Sequence, residues 1–522
     1  MSAATPPTNP GGSGGAPPTN PGGSGDGYQQ RAATGAVVTL ILIGVLVAVI
    51  AVIDVLLPAP PSAREIVGQG PISAGTWYCP VTAGEGEDAV LTIAAIGREA
   101  SSVVVTRYHD SKALNDPPAE IAAGEALEVP LAPPQGADPL TVRWKGGPTV
   151  VHWRVDGSGD SAAAPCESAP SDTWHLTGFD TTLGARSTVH LFNPFGGDAV
   201  ARLWFATPDG RVDLVIADNQ LVKAGTSARI DLVDFQPQQP NLGVTVEVLT
   251  GRLIAQGQVA LSSGRALVRG APISAVEWDF AHIHADQGQA WLSIQNPSDR
   301  EASVEVRVSD PKPDVDVLDR ETPVPAGGIV RIDLADVSTQ PDFGAAVTSI
   351  DEAPLVVTAF WTLRTSGGSG LAASLGAPGA ATEWALAGGG SAGRRGEVSI
   401  YNPGADDASV TVLSPQGRLP EWSGLTVKPN TRVTLDLATA GPGRPAIPVR
   451  VVSDHPVVSE LRSQATTGAP RLWVSAGVSA IEWTGPPTRS IVRRDPSLAT
   501  RAVEPAREEE TPEPTPTPSE RV

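Results

Sequence analysis

Leu292-Ser293-Ile294-Gln295-Asn296-Pro297, followed closely by Ser303-Val304-Glu305-Val306-Arg307-Val308, decides the fold. Apolar and polar residues alternate with a period of two, so Leu292 and Ile294 share one face and Ser293 and Gln295 the other. That is the pattern of an antiparallel strand with one buried side. Asn-Pro ends the first run. Proline has no N–H with which to continue a ladder, and asparagine can close the turn onto nearby backbone.

The same grammar recurs along the chain. Val189-His190-Leu191-Phe192-Asn193-Pro194 and Val398-Ser399-Ile400-Tyr401-Asn402-Pro403 repeat the strand and its stop. Val222-Lys223-Ala224-Gly225, Val324-Pro325-Ala326-Gly327 and Val427-Lys428-Pro429-Asn430 each precede another alternating run. The earliest stretch keeps Leu91-Thr92-Ile93 and Ile121-Ala122-Ala123-Gly124 but lacks Asn-Pro. Tryptophan marks the period: Trp77, Trp174, Trp278, Trp384 and Trp483 are separated by 97, 104, 106 and 99 residues. A late hairpin is marked in three units by Pro148, Pro354 and Pro456.

Each repeat of about 100 residues has room for seven or eight short strands punctuated by Gly, Pro, Asn and Asp, which predicts an all-β chain of tandem immunoglobulin-like β-sandwiches. The alternative is a β-propeller with two blades per repeat; against it, the halves of a repeat do not resemble each other. The expected organisation is a disordered arm over 1–33, a transmembrane helix over 34–57, a linker over 58–71, sandwiches over 72–168, 169–273, 274–379 and 380–485, and a disordered acidic Pro/Thr tail over 486–522. With almost no linker between repeats, the four units should stack as a stiff rod.

The ends set the compartment. Ala32 to Ile53 is a run of 22 residues without a charge. The 24 residues from 34 to 57 would make a helix of about 36 Å, enough for a hydrocarbon core of about 30 Å. The run is longer, and starts later, than the hydrophobic region of a cleaved signal peptide. Arg31 on one side and Arg64 beside Glu65 on the other leave the charge rule nearly balanced. The cysteines decide the orientation. Cys79 and Cys166, the only two in 522 residues, open and close the first repeat, where a bridge would staple the ends of one domain. Disulfides persist outside the cytosol, so the N-terminus is expected to be cytoplasmic and the bulk of the chain extracellular, held at the cell membrane by a single pass.

Composition narrows the function. A net charge of −20 and no basic stripe argue against nucleic acid as a partner. The sequence has no phosphate loop after a strand, nucleophile elbow, HExxH or calcium loop, so neither catalysis nor a cofactor is expected. His282 and His284, two apart with Asp279 and Asp286 nearby, read as a surface pair rather than metal ligands. The five periodic tryptophans read as packing anchors. Trp204, Trp291 and Trp422 are less regular, sit at alternating positions that can face solvent, and are the candidates for a binding surface.

The anchor, Trp77-Tyr78-Cys79-Pro80, the Asn-Pro strand ends and the Val-x-x-Gly turns, in that order over residues 36–485, resemble an uncharacterised family of single-pass membrane proteins of high-GC Gram-positive bacteria. The resemblance carries no catalytic residues and implies an envelope protein, with a part in surface glycopolymer assembly. The expected role is a non-enzymatic, membrane-tethered extracellular scaffold or interaction protein whose partners are envelope proteins. A cell-wall glycan-binding protein is the alternative.

Overall fold

A computed structural model describes residues 74–479, except 81–82, 85–86, 132–137, 286–288, 313–320, 389–392, 415–416 and 441–447. The chain divides into two compact units, Met1–Gly70 and Pro71–Val522, and every described residue belongs to the second. The expected arm, transmembrane helix, linker, tail and Trp483 lie outside the described residues. Among the described residues, no helix is long and apolar enough to cross a membrane.

The regular structure of the described chain is almost all strand, and the stretch that opened the reading lies in its third unit. There, Glu277–His284, Asp342–Ser349, Ala302–Val308 and Thr322–Val324 form one antiparallel sheet in that order. Ile329–Asp333, Ala290–Gln295, Val356–Thr365 and Gly368–Leu375 form the other. Leu292, Ile294, Val304, Val306, Trp278 and Phe343 fill the space between the sheets. The same strand order repeats in all four units, each a two-layer β-sandwich, and no barrel closes. In the last unit one long strand, Val449–Ala465, serves both sheets, and it turns the corner at exposed Asp454, His455 and Pro456. Pro148 and Pro354 lie at the matching corners of the first and third units, where the ladder must break for the chain to change layers.

The periodic tryptophans perform one task four times. The indole N–H of Trp77 donates to the carbonyl of Thr149 at 3.0 Å, Trp174 to Leu253 at 3.1 Å, Trp278 to Leu355 at 2.8 Å and Trp384 to Val457 at 2.6 Å. Each ties the first strand of its unit to the opposite sheet, with its ring buried in the core. The asparagines are equally regular. Asn193, Asn296 and Asn402 are fully buried, and each side-chain amide bridges its own turn and the strand across from it. Cys79 and Cys166 are joined in a buried disulfide whose Cα atoms are 4.7 Å apart.

The units do not form a rod. Their last strands, Ser161–Pro165, Gly264–Arg269, Gly368–Leu375 and Trp473–Ala476, touch in succession, and the last touches the first, so the four sandwiches close into a ring. The reason lies in the edges. Each of these strands ends its sheet and would otherwise offer unpaired backbone to solvent. Their small residues, Ala162, Ala163, Ala164, Ala266, Ala372 and Ala373, let four edges pack against one another at the centre.

Candidate functional site

The four junctions share a plan and differ in what fills them. Between the first and second units, Arg265 reaches Glu87 at 2.6 Å and Asp160 at 3.0 Å, Arg269 pairs with Glu167 at 2.9 Å, and Tyr108 meets Phe192 edge-on at 5.3 Å. Between the second and third, Gly178 leaves room for the Phe360 ring, and Gln295 Nε2 donates to Thr245 Oγ1 at 2.9 Å. Trp204 packs there with Ala206 and Ile329, donates its indole N–H to Glu247 at 3.0 Å, and lies 4.5 Å beneath Arg211.

Trp204, Trp291 and Trp422 are therefore not a solvent-facing surface; they are 2 %, 5 % and 5 % exposed. Trp291 stacks on Phe360 at 5.3 Å, with Arg331 4.0 Å from its other face. Trp422 belongs to the core of the fourth unit. Alternation along a strand separates two faces, but it cannot separate a face covered by water from one covered by the next unit.

The third and fourth units meet around a buried polar cluster. His282 and His284 are 0 % and 8 % exposed, so the surface-pair expectation is corrected. A bulge between Phe280 and Ile283 turns this stretch of strand into the junction. His284 Nδ1 lies 2.7 Å from Asp342 Oδ1, His282 Nε2 3.6 Å from the same oxygen, and His282 Nδ1 3.1 Å from Ser399 Oγ of the next unit. Glu460 accepts from the His282 backbone N–H at 2.6 Å and from Ser374 Oγ, while Arg462 lies 3.3 Å from Glu397. Burial drives the His282 imidazolium well below its ordinary range and lifts Glu460 to about 7, although Ser374 and two backbone amides counter the rise. Burial also works against the Asp342 carboxylate, but the hydrogen bond to His284 and the nearby His282 and Arg462 outweigh it and hold its pKa well down. Burial, with Glu277 nearby, raises Asp279 to about 8; Arg307 partly offsets this, and neither Asp279 oxygen has a hydrogen-bond partner. Asp286 lies outside the described residues, and no metal-binding group of three or more His, Cys, Asp or Glu occurs among the described ones.

The junction between the fourth unit and the first closes the ring, and Ala385, Ala387 and Val478 join the core of the first unit there. Arg394 approaches Asp156 at 3.7 Å, Trp473 lies 5.5 Å from His152, and Arg471 donates to the Ser158 carbonyl at 3.3 Å. Beside these contacts opens a cleft of about 550 Å³. Ala95, Ile96, Gly97, Arg98, Ala123 and Gly124 form one wall, and Thr411, Leu413, Ser414, Pro448, Val449, Arg450 and Val452 the other. The described residues of its lining combine aliphatic surface, hydroxyls and guanidinium groups, and none of them carries a carboxylate, imidazole or thiol to act as a general base.

Two departures from the repeat open this cleft. The strand pairing aligns Leu413 with Trp204 and Arg307: each follows the residue that shares a register row with its unit's anchoring tryptophan. Trp204 and Arg307 reach the next unit, Arg307 through the Pro403 carbonyl at 3.3 Å; leucine is too short. On the other wall, Ala95 pairs with Thr149, whose carbonyl holds Trp77, and so stands where the other units carry the turn-closing asparagine. The missing Asn-Pro was the one visible trace of this site in the sequence.

Fold and cleft together define a class: a closed ring of four β-sandwiches with one divergent seam. Residues 135–369 and 345–492 match the model of DUF5719, a family of unknown function. These stretches cover more than half of the chain, and the chain belongs to that family. No curated protein matches the sequence. Among solved structures, the α-L-rhamnosidase of Streptomyces avermitilis complexed with L-rhamnose is 12 % identical over 74 % of this chain and 55 % of that one, with a TM-score of 0.12. The chain thus spans about half the length of that structure, and a likeness this slight carries no argument.

Proposed function

We propose that this chain is an exported, membrane-anchored scaffold of the cell envelope, a rigid ring that holds partner proteins at the outer face rather than transforming a substrate. One observation carries the reading: ion pairs and hydrogen bonds tie the units to one another at their junctions, while the described residues that line the cleft open to solvent include no acid or base. The Cys79–Cys166 disulfide supports an oxidising compartment, and the uncharged run within 34–57 supports the anchor. The glycan-binding alternative loses the tryptophans that motivated it, since all three are buried.

The test uses the full-length chain in its own cells. Protease added outside should degrade the chain beyond residue 57, and photo-cross-linkers on the outer surface of the ring should capture the same few envelope proteins reproducibly. Hydrolase or transferase turnover by the purified full-length chain, or Cys79 and Cys166 recovered as free thiols from intact cells, would overturn the proposal.

A further inference from the structure

We propose that the cleft between the fourth and first units takes an aromatic side chain with a carboxylate beside it, presented by an exposed segment of a partner protein. This rests on the scaffold reading above and names what one face of the ring holds. The ring's own repeats point to it, because the position left open here is filled elsewhere.

The junction of the second and third units shows the filling. Trp204 packs there against Ile329, with its indole N–H on Glu247 at 3.0 Å and Arg211 4.5 Å from its ring. Strand register identifies the equivalent residues at the cleft. Leu413 stands for Trp204, and Val452 stands for Glu247, since Glu247 and Val452 each pair with the residue before the anchoring tryptophan. Ala126 stands for Ile329. They pair with Ala94 and Gln295, which oppose Val150 and Val356, the residues after the carbonyls that hold Trp77 and Trp278. Tryptophan, glutamate and isoleucine have become leucine, valine and alanine, so the ring and the acid beside it are both missing from this junction.

The charge has changed as well. Arg450 opposes Ala385 as Thr245 opposes His175, so the fourth unit has gained a guanidinium where the second has a hydroxyl. Glu383 accepts from Arg450 Nε at 2.9 Å and fixes that side chain in place. Arg98, on the opposite wall, is exposed and makes no ion pair among the described residues. Glu99 and Glu125 are exposed and are not part of the described lining. A flat ring buries against Ile96, Leu413 and Val452 and is attracted to a guanidinium, while a carboxylate beside it pairs with Arg98. The volume of about 550 Å³ has room for an aromatic side chain and part of the segment that carries it.

The test measures the anisotropy of dye-labelled acetyl-Glu-Trp-Glu-amide against the purified full-length chain. Exchanging Trp for Ala, or both Glu for Gln, should each weaken binding about tenfold. Leu413→Trp, which rebuilds the filling of the second unit, should abolish binding. Arg98→Glu, at an exposed position, should weaken it about tenfold with the fold intact. Hydrogen exchange of Ala290–Gln295 should match the parent in both variants. A peptide that does not bind the parent, or binds both variants as tightly, would overturn the proposal. Free N-acetyl-tryptophan binding as tightly as the peptide would also overturn it, by giving the cleft to a free aromatic acid. Peptide binding by a chain that external protease leaves intact would support this site while the envelope reading fails.

Discussion

Replacing Asn296 with alanine tests whether the repeated asparagine holds each sandwich together. The side chain is fully buried; its amide donates to the carbonyls of Arg300 at 2.7 Å and Val324 at 3.1 Å, and its oxygen accepts the Ser298 N–H at 3.0 Å. Alanine removes all three, together with the bond that Ser298 Oγ donates to the same oxygen at 2.6 Å. Arg300 and Ser298 lie near solvent and recover water, so each of those bonds is worth about 0.5–1 kcal/mol. Val324 is 0 % exposed, so water does not replace the bond its carbonyl loses, and that loss costs about 1–3 kcal/mol. The sum is about 3 kcal/mol, a factor of about 150 in an opening equilibrium. Hydrogen exchange of Thr322–Val324 and Ala302–Val308, read against Glu277–His284 as an internal reference, reports that factor directly. Asn296→Asp, which keeps the acceptor and loses the donors, should fall between the parent and the alanine variant. Acceleration below fivefold for Asn296→Ala would mean that water reaches the Val324 carbonyl, and the reasoning fails.

Reduction of Cys79–Cys166, or its replacement by two alanines, should lower the stability of the first unit by about 4–5 kcal/mol on the loop-entropy account for a separation of 87 residues; an unchanged denaturation midpoint of Asp88–Ala95 refutes it. Stability should rise with pH up to about 6.5, because His152, His175 and His190 are held neutral by burial at about 3, 4 and 4. Above that the trend should reverse. The raised Asp279, at about 8, and Glu460, at about 7, contribute stability that is fully present below their ordinary values of 3.8 and 4.5 and is lost as pH passes the folded ones. The slope is at most about 1.4 kcal/mol per pH unit per group. Asp279→Asn should flatten thermal midpoints between pH 6.5 and 8.5, and a variant as pH-dependent as the parent excludes this source. Gly178→Ala should cost about 2–5 kcal/mol, since φ is +87° and the new Cβ would lie 2.1 Å from the Phe360 ring. Phe360→Leu should relieve the clash but not the backbone strain, and a variant that melts with the parent removes this account of the junction.

Much of the fold was legible because its signals are local. Alternation, Asn-Pro and the tryptophan interval each describe what a strand does with its nearest neighbours. Asn-Pro and the four described tryptophans act as read, whereas the Ala290–Gln295 strand, expected to have one buried side, is buried on both, Ser293 and Gln295 included, because the neighbouring unit covers its polar face. The ring was not legible, because its determinants lie between units. The alanines of Ser161–Pro165 look like any small buried run, and Trp204 on an alternating strand looks the same whether solvent or Ile329 covers it. His282 and His284 read as surface residues because the bulge after Phe280 leaves no mark in residue type. The seam left only a faint trace, the absence of Asn-Pro from the first unit, and its meaning needed the register that sets Ala95 opposite Thr149.

Head-to-tail closure also fixes the number of modules. Each junction joins a different surface of one unit to another surface of the next, an arrangement that ends only when the accumulated turn returns to its start. Here that happens at four, so evolution cannot lengthen or shorten this molecule module by module, as it does linear repeat proteins. Deleting one sandwich would yield an open arc with two raw sheet margins, prone to recruit other chains in place of the lost neighbour.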